Sequence, residues 1–202
     1  MKVYKIKVNL DDITGMDAIS LVEYPATQVD FLKFNDEKPV ELQFNDEKHI
    51  ITGPIMLCDT PIYRNNSKFG EHYVVFDAET IRTMIEKYSI MGLNNSVNLD
   101  HDNDRFTDGA IMIESYIKDS TRGIVPNEFT NIPDGSWIAS FKITDMNLWD
   151  EIKQGEFKGF SLQGLFQYGE EVEMESQKPE DEEYDDLIDR LVKDLEDMKG
   201  LG

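Results

Sequence analysis

Cysteine is almost missing from this chain. Cys58 stands alone among 202 residues, which excludes an internal disulfide and any zinc site built on cysteine pairs, and matches a reducing compartment. Basic residues are also scarce. There are 20 Lys and Arg against 41 Asp and Glu, a net charge of −21. Such a surface repels nucleic-acid phosphates and anionic membranes and favours basic partners. Long apolar runs are absent too: none approaches the ~20 residues of a membrane span. The opening MKVYKIKVNLDD alternates like a strand and has no apolar signal-peptide core. A soluble intracellular protein is expected, with no membrane or nucleic-acid partner.

What is present suffices for one ordinary domain with an appendage, since 40% of the residues are hydrophobic. Residues 2–10 alternate in period two, and Ala18-Ile19-Ser20-Leu21-Val22 is a second apolar run that Pro25 stops. Residues 30–48 are polar and carry the phrase FNDEK twice, ten residues apart. This is too little for a repeat architecture and reads as a linker or mobile hairpin. A strand over 50–57, interrupted at Gly53-Pro54, opens the core; Pro61–Arg64, a turn over 65–70 and the strand Tyr73–Phe76 follow. Asp77 caps a helix whose apolar face is Ile81, Met84, Ile85 and Tyr88. Strands are expected at 97–99, 110–117 and 136–143. Asp145 caps a short helix with Leu148, Trp149 and Ile152 inward and Gly155 at its end, and a strand covers 157–168.

Residues 170–186 hold ten acids and one lysine, a composition expected to stay disordered. Beyond it, Tyr184, Ile188, Leu191, Leu195 and Met198 form a two-heptad apolar seam suited to a partner helix, to self-association or to the domain surface. The expected organisation is therefore N-terminal strands and polar linker (1–48), core (49–169), acidic linker (170–183) and amphipathic helix (184–199). The fold class is α+β, mainly an antiparallel β-barrel-like domain with a few helices.

Two segments carry chemistry. Val97-Asn98-Leu99-Asp100-His101-Asp102 ends a strand on an imidazole; sixty residues later Lys158-Gly159-Phe160-Ser161-Leu162-Gln163-Gly164 presents a hydroxyl. A serine is a weak nucleophile until a base accepts its proton, and an imidazole with its pKa near ~6.5 suits that task. The pair points to acyl transfer, most directly peptide hydrolysis. GFSLQG is not the nucleophile elbow of the α/β-hydrolases, because its second glycine lies one position too far. The acids around His101 allow a rival reading, a divalent site from Asp102, Asp104 and Asp108. The calcium-loop pattern fails, with Arg105 and Ile111 where glycine and glutamate belong. His49 and His72 have no ligand pattern around them and are expected at the surface.

The order of phrases resembles the phage prohead (capsid maturation) serine proteases, in particular the XkdF-like branch. The phrases are Gly53-Pro54, Pro61–Arg64, Tyr73–Phe76, Val97–His101, Ile113-Glu114-Ser115-Tyr116-Ile117, Gly135-Ser136-Trp137, Leu148–Lys153 and Gly159–Gly164. Ala18–Val22 with Pro25-Ala26 adds to them. The resemblance spans about residues 14–168. It implies a fold similar to herpesvirus assemblin, a closed β-barrel with surrounding helices, and an enzyme without a cofactor. That enzyme would cut scaffold and major capsid protein inside the immature shell, in the host cytoplasm. The family's histidine falls on His101 and its serine on Ser161. This chain has Gln163 where the pattern often has Glu, and Tyr116 where the branch often has Trp.

The expected mechanism is attack by Ser161, with His101 as base and then acid. A third group is needed to orient the imidazole. Glu114, on the next expected strand, is the first candidate; Asp100 and Asp102 adjoin His101 but point away in an extended strand, and a second histidine is the assemblin-type alternative. Backbone N–H groups near Gly159 or Gly164 are candidates for the oxyanion hole. Two other classes stay open: a non-enzymatic capsid-assembly or scaffold protein with a degenerate protease domain, and a divalent-metal nuclease, disfavoured by the missing basic surface.

Overall fold

The structure is a computed structural model that describes residues 2–25 and 40–172, all within one compact unit. The acidic linker beyond 172, the heptad helix over 184–199 and the first FNDEK phrase lie outside the described residues.

Three sheets make up the unit. The smallest has the order β10-β2-β7, formed by β2 (Gly15–Val22), β7 (Val97–Leu99) and β10 (Gly159–Leu165). A second, β11-β1-β6-β5, takes β1 (Val3–Lys7), β5 (Ile62–Asn66), β6 (Gly70–Val75) and β11 (Gln167–Val172). The third, β3-β4-β9-β8, takes β3 (Gln43–Asn45), β4 (Ile50–Met56), β8 (Ala110–Ile117) and β9 (Trp137–Ile143). Two helices complete it: α1 (Ala78–Ile90) and α2 (Met146–Lys153).

The α+β class is as expected, but the sheets do not close into a barrel. β1 runs parallel to β6, and β2 parallel to β7, while the remaining pairs are antiparallel. The N-terminal strands β1 and β2, expected to precede a core over 49–169, are internal strands of two of its sheets. Alternation tells which face of a strand is buried, not which strand lies beside it, so this insertion was not visible in the pattern.

Local chemistry accounts for most elements. Asp77 caps α1, its carboxylate accepting from Thr80 N at 2.9 Å, and Ile81, Met84 and Tyr88 are buried while Ile85 packs at the margin. Asp145 caps α2, accepting from Asn147 N at 2.8 Å, and Leu148, Trp149 and Ile152 face inward. β4 continues through Gly53-Pro54 instead of breaking there. β3 pairs only with Ile50–Thr52, and the register with β9 shifts between Pro54 and Met56. The missing proline N–H therefore falls beside a bulge, where a ladder tolerates it. The expected single strand over 157–168 is two, β10 and β11, in different sheets. One core unites all three sheets, with Ile19, Leu21, Ile51, Val97, Phe141 and Phe160 among its buried members.

Candidate active site

The β10-β2-β7 sheet assembles the site. Ser161 of β10 lies opposite Ser20 of β2, and Ser20 lies beside Asn98 of β7. Laterally paired residues share a sheet face, so three polar side chains stand in one row across the sheet. Their strand neighbours Ile19, Leu21, Val97 and Phe160 are in the core, which is the alternation expected of each strand.

His101 reaches this row because the chain turns sharply after β7. Asp100 and His101 both have positive φ, 54° and 59°. Two successive non-glycine residues in the left-handed region are uncommon and mark an imposed geometry. Backbone bonds pin the turn: Asp100 N donates to Leu21 O at 2.9 Å, and Leu99 N to Arg105 O at 3.1 Å. His101 Nδ1 lies 2.8 Å from Ser20 Oγ. Ser20 Oγ donates to Asn98 Oδ1 at 2.5 Å, Asn98 Nδ2 to Gln163 Oε1 at 2.7 Å, and Gln163 Nε2 to Asn103 Oδ1 at 2.6 Å. Ser20 and Asn98 are fully buried. Burial pushes the His101 pKa down first of all, the Arg64 cation adds to that, and Asp100 opposes it.

Ser161 and His101 are brought to one site, but no hydrogen bond joins them; the imidazole partner is Ser20. Ser161 lines a cavity of about 210 Å³ whose walls include Ile55, Ile62, Val74 and Phe76, with Arg64 and Tyr168 as polar members. Gly164 also lines it and packs hard on β2: an added Cβ would lie 2.1 Å from Gly15 O. The β10–β2 register shifts between Gln163 and Gly164, whereas Gly159 pairs regularly with Val22.

Glu114 is not brought to His101. β8 pairs with β9, not with β7, and Glu114 accepts from Ser140 Oγ at 2.6 Å beside a separate cavity that also contains Glu128. His72 is not at the surface: it is fully buried, with Nδ1 2.8 Å from Gly70 O and Nε2 3.0 Å from the Tyr168 hydroxyl, among Tyr4 and Phe69. His49 is half-buried against Trp149, ring centres 4.9 Å apart. His72 departs from the surface expectation because the ring cluster of Tyr4, Phe69 and Tyr168 supplies it both cover and a hydrogen-bond partner, which local sequence does not reveal. Asp102 accepts from Asp104 N at 2.8 Å as a turn residue, and among the described residues no three His, Cys, Asp or Glu side chains gather as a cation site.

Ser20, Asn98 and Gln163, which connect to His101 by hydrogen bonds, are the residues of the site that residue chemistry alone passed over. Serine, asparagine and glutamine carry no charge or reactivity that flags them. The available signal was a polar residue at the centre of each of two short apolar runs, Ala18–Val22 and Val97–Leu99.

Around one buried serine, Ser20, this α+β domain sets an imidazole and, on the neighbouring strand, a second hydroxyl at a cavity walled by all three sheets, groups of the kind a serine hydrolase uses. The chain belongs to the family described as putative phage serine protease XkdF, whose model matches residues 39–170. No curated protein and no solved structure matches it. Ser20 precedes the matched segment, whereas His101 and Ser161 lie within it.

Proposed function

We propose that this chain is a prohead serine endopeptidase, akin to the assemblin-type proteases, that cuts scaffold and major capsid protein segments during phage head assembly, inside the immature shell in the host cytoplasm. The observation that carries the reading is the row on the β10-β2-β7 sheet. In a chain of the phage serine protease family, Ser161 lines an open cavity beside the very residue that holds His101.

Ser161 Oγ attacks the scissile carbonyl carbon and its proton passes to His101. The C–N bond breaks as His101 returns that proton to the leaving amine, and water then hydrolyses the acyl-serine by the same route. The lowered His101 pKa keeps the ring neutral, the form that accepts a proton. Between Gln163 and Gly164 the ladder skips Asp17 of β2 while Gly164 stays paired with Met16; backbone at this irregularity, on the cavity wall with Ser161, is one candidate oxyanion donor, worth about 3 kcal/mol. Gly159, two residues before Ser161, is the other candidate donor. The apolar cavity walls suit an uncharged aliphatic side chain next to the cleaved bond.

The test is incubation of purified protein with scaffold and capsid protein, alongside labelling by a fluorophosphonate. Cleavage lost in Ser161→Ala and His101→Ala, with the label mapped to Ser161, is the expected result. Normal processing by Ser161→Ala would overturn the reading. A second reading, a non-enzymatic assembly component, draws on the missing Ser161–His101 hydrogen bond. Unliganded catalytic geometry is often loose, and the labelling experiment separates the two.

A further inference from the structure

We propose that Ser20 fills the third place of the triad: it is a positioning residue that holds His101 as the Nδ1–H tautomer through an uncharged relay of Asn98, Gln163 and Asn103. The inference rests on the reading of Ser161 and His101 given above and names what orients the base.

The tautomer of His101 follows from a proton count. A serine hydroxyl has one hydrogen to donate and two lone pairs. Ser20 gives its hydrogen to Asn98 Oδ1. Only lone pairs remain for His101 Nδ1, 2.8 Å away, so Nδ1 must be the donor. A neutral imidazole carries one N–H, which leaves Nε2 bare as the basic nitrogen. In the serine–histidine–aspartate triad a buried carboxylate does this work by accepting from Nδ1–H. Here a neutral hydroxyl accepts instead.

The rest of the relay fixes the direction of that hydroxyl. Asn98 presents Oδ1 to Ser20 because its Nδ2 is committed to Gln163 Oε1, and Gln163 is oriented in turn by Asn103 Oδ1. Asn98 on β7 and Gln163 on β10 join across the intervening strand β2. The β2 residue opposite Gln163 is Ala18, fully buried and two positions from Ser20. Its single methyl leaves room for the two amides to meet above it. Gln163 therefore has a task that its amide nitrogen performs and a carboxylate would not: it donates onward to Asn103.

A carboxylate in the third place also stabilises the imidazolium by its charge; this relay does not. Among the described residues, the Arg64 cation disfavours the charged ring and the Asp100 carboxylate favours it.

The experiment is a long-range ¹H–¹⁵N correlation on the full chain at neutral pH, which reports which ring nitrogen of His101 carries hydrogen. The expected result is hydrogen on Nδ1 in the wild type, loss of that preference in Ser20→Ala, and a kcat lower by about 10-fold or more with KM unchanged, bounded by the ~10⁴-fold fall that a wrong tautomer causes in a serine–histidine–aspartate triad. Should Ser20→Ala not fold, Asn98→Asp keeps an oxygen acceptor for Ser20, so the Nδ1–H form should persist while the acid limb of the rate profile moves to higher pH. Hydrogen on Nε2 in the wild type, or a Ser20→Ala protein with unchanged tautomer and kcat, would overturn the proposal. So would a fluorophosphonate adduct on Ser20, which would mean that the relay runs in reverse. An absent adduct on Ser161 with the Nδ1–H tautomer intact would strike the proteolytic reading while leaving the relay standing.

Discussion

Ser161 and Ser20 are register partners across β10 and β2, and of these two hydroxyls it is Ser20 that bonds to His101. The nucleophile expected from sequence lines the cavity, and its neighbour bonds to the imidazole. The proposed division of labour between these adjacent serines is open to direct tests.

The pH dependence follows from the charges around His101. In the proposed mechanism its neutral form is the working one, so kcat/KM should rise with pH with an inflection below the ordinary imidazole value near ~6.5, because burial and Arg64 push the pKa down. Arg64→Gln removes a repelling cation and should shift the inflection upward. Asp100→Asn removes the opposing anion and should shift it downward. A pH–rate series reads the position of each inflection independently of its height. Shifts of the opposite sign would contradict the assigned surroundings.

Glu114→Gln separates the site drawn here from the one expected from sequence order. Glu114 accepts from Ser140 on the β3-β4-β9-β8 sheet, and glutamine keeps an oxygen for that bond. Turnover should stay within about twofold of wild type, against the ~10⁴-fold fall seen when a triad carboxylate becomes an amide. Steady-state kinetics on the capsid substrate decide it.

Gly164→Ala should be costly for a steric reason alone. Its Cβ would stand 2.1 Å from Gly15 O and 2.8 Å from Met16 Cα, both backbone and unable to turn aside. The loss should exceed the ~1–3 kcal/mol typical of overpacking, measured as a lower urea midpoint. Gly155→Ala, in open space but with φ of 83°, should cost only about the ~1 kcal/mol of a strained backbone.

Cys58 should be silent in the native protein. It is buried, and burial pushes its thiol up to about 12, so almost no thiolate exists near neutral pH. Alkylation by iodoacetamide at pH 8 should be negligible in buffer and appear in step with unfolding along a urea series. Rapid labelling of the folded protein would show that this part of the core opens readily.

Much of the secondary structure was legible because its causes are local. Asp77 and Asp145 cap helices through their own first turns, and the apolar spacing of Ile81, Met84 and Tyr88 needs only the helix period. His101 and Ser161 stood out by reactivity. The misses share another cause. The parallel pairings of β1 and β2, the split of β10 from β11, the burial of His72 and the separation of Glu114 from His101 all depend on residues far along the chain.

By itself the sequence determined the acidic character, the strand and helix segments, the family, and which two side chains have the chemistry for acyl transfer. Only the tertiary structure decided that the sheets remain open and that a serine from β2, eighty-one residues from His101, is its partner. The reason is physical. Propensity and periodicity act over a few residues, whereas a hydrogen bond between side chains on different strands exists only once the core has chosen which strands lie side by side.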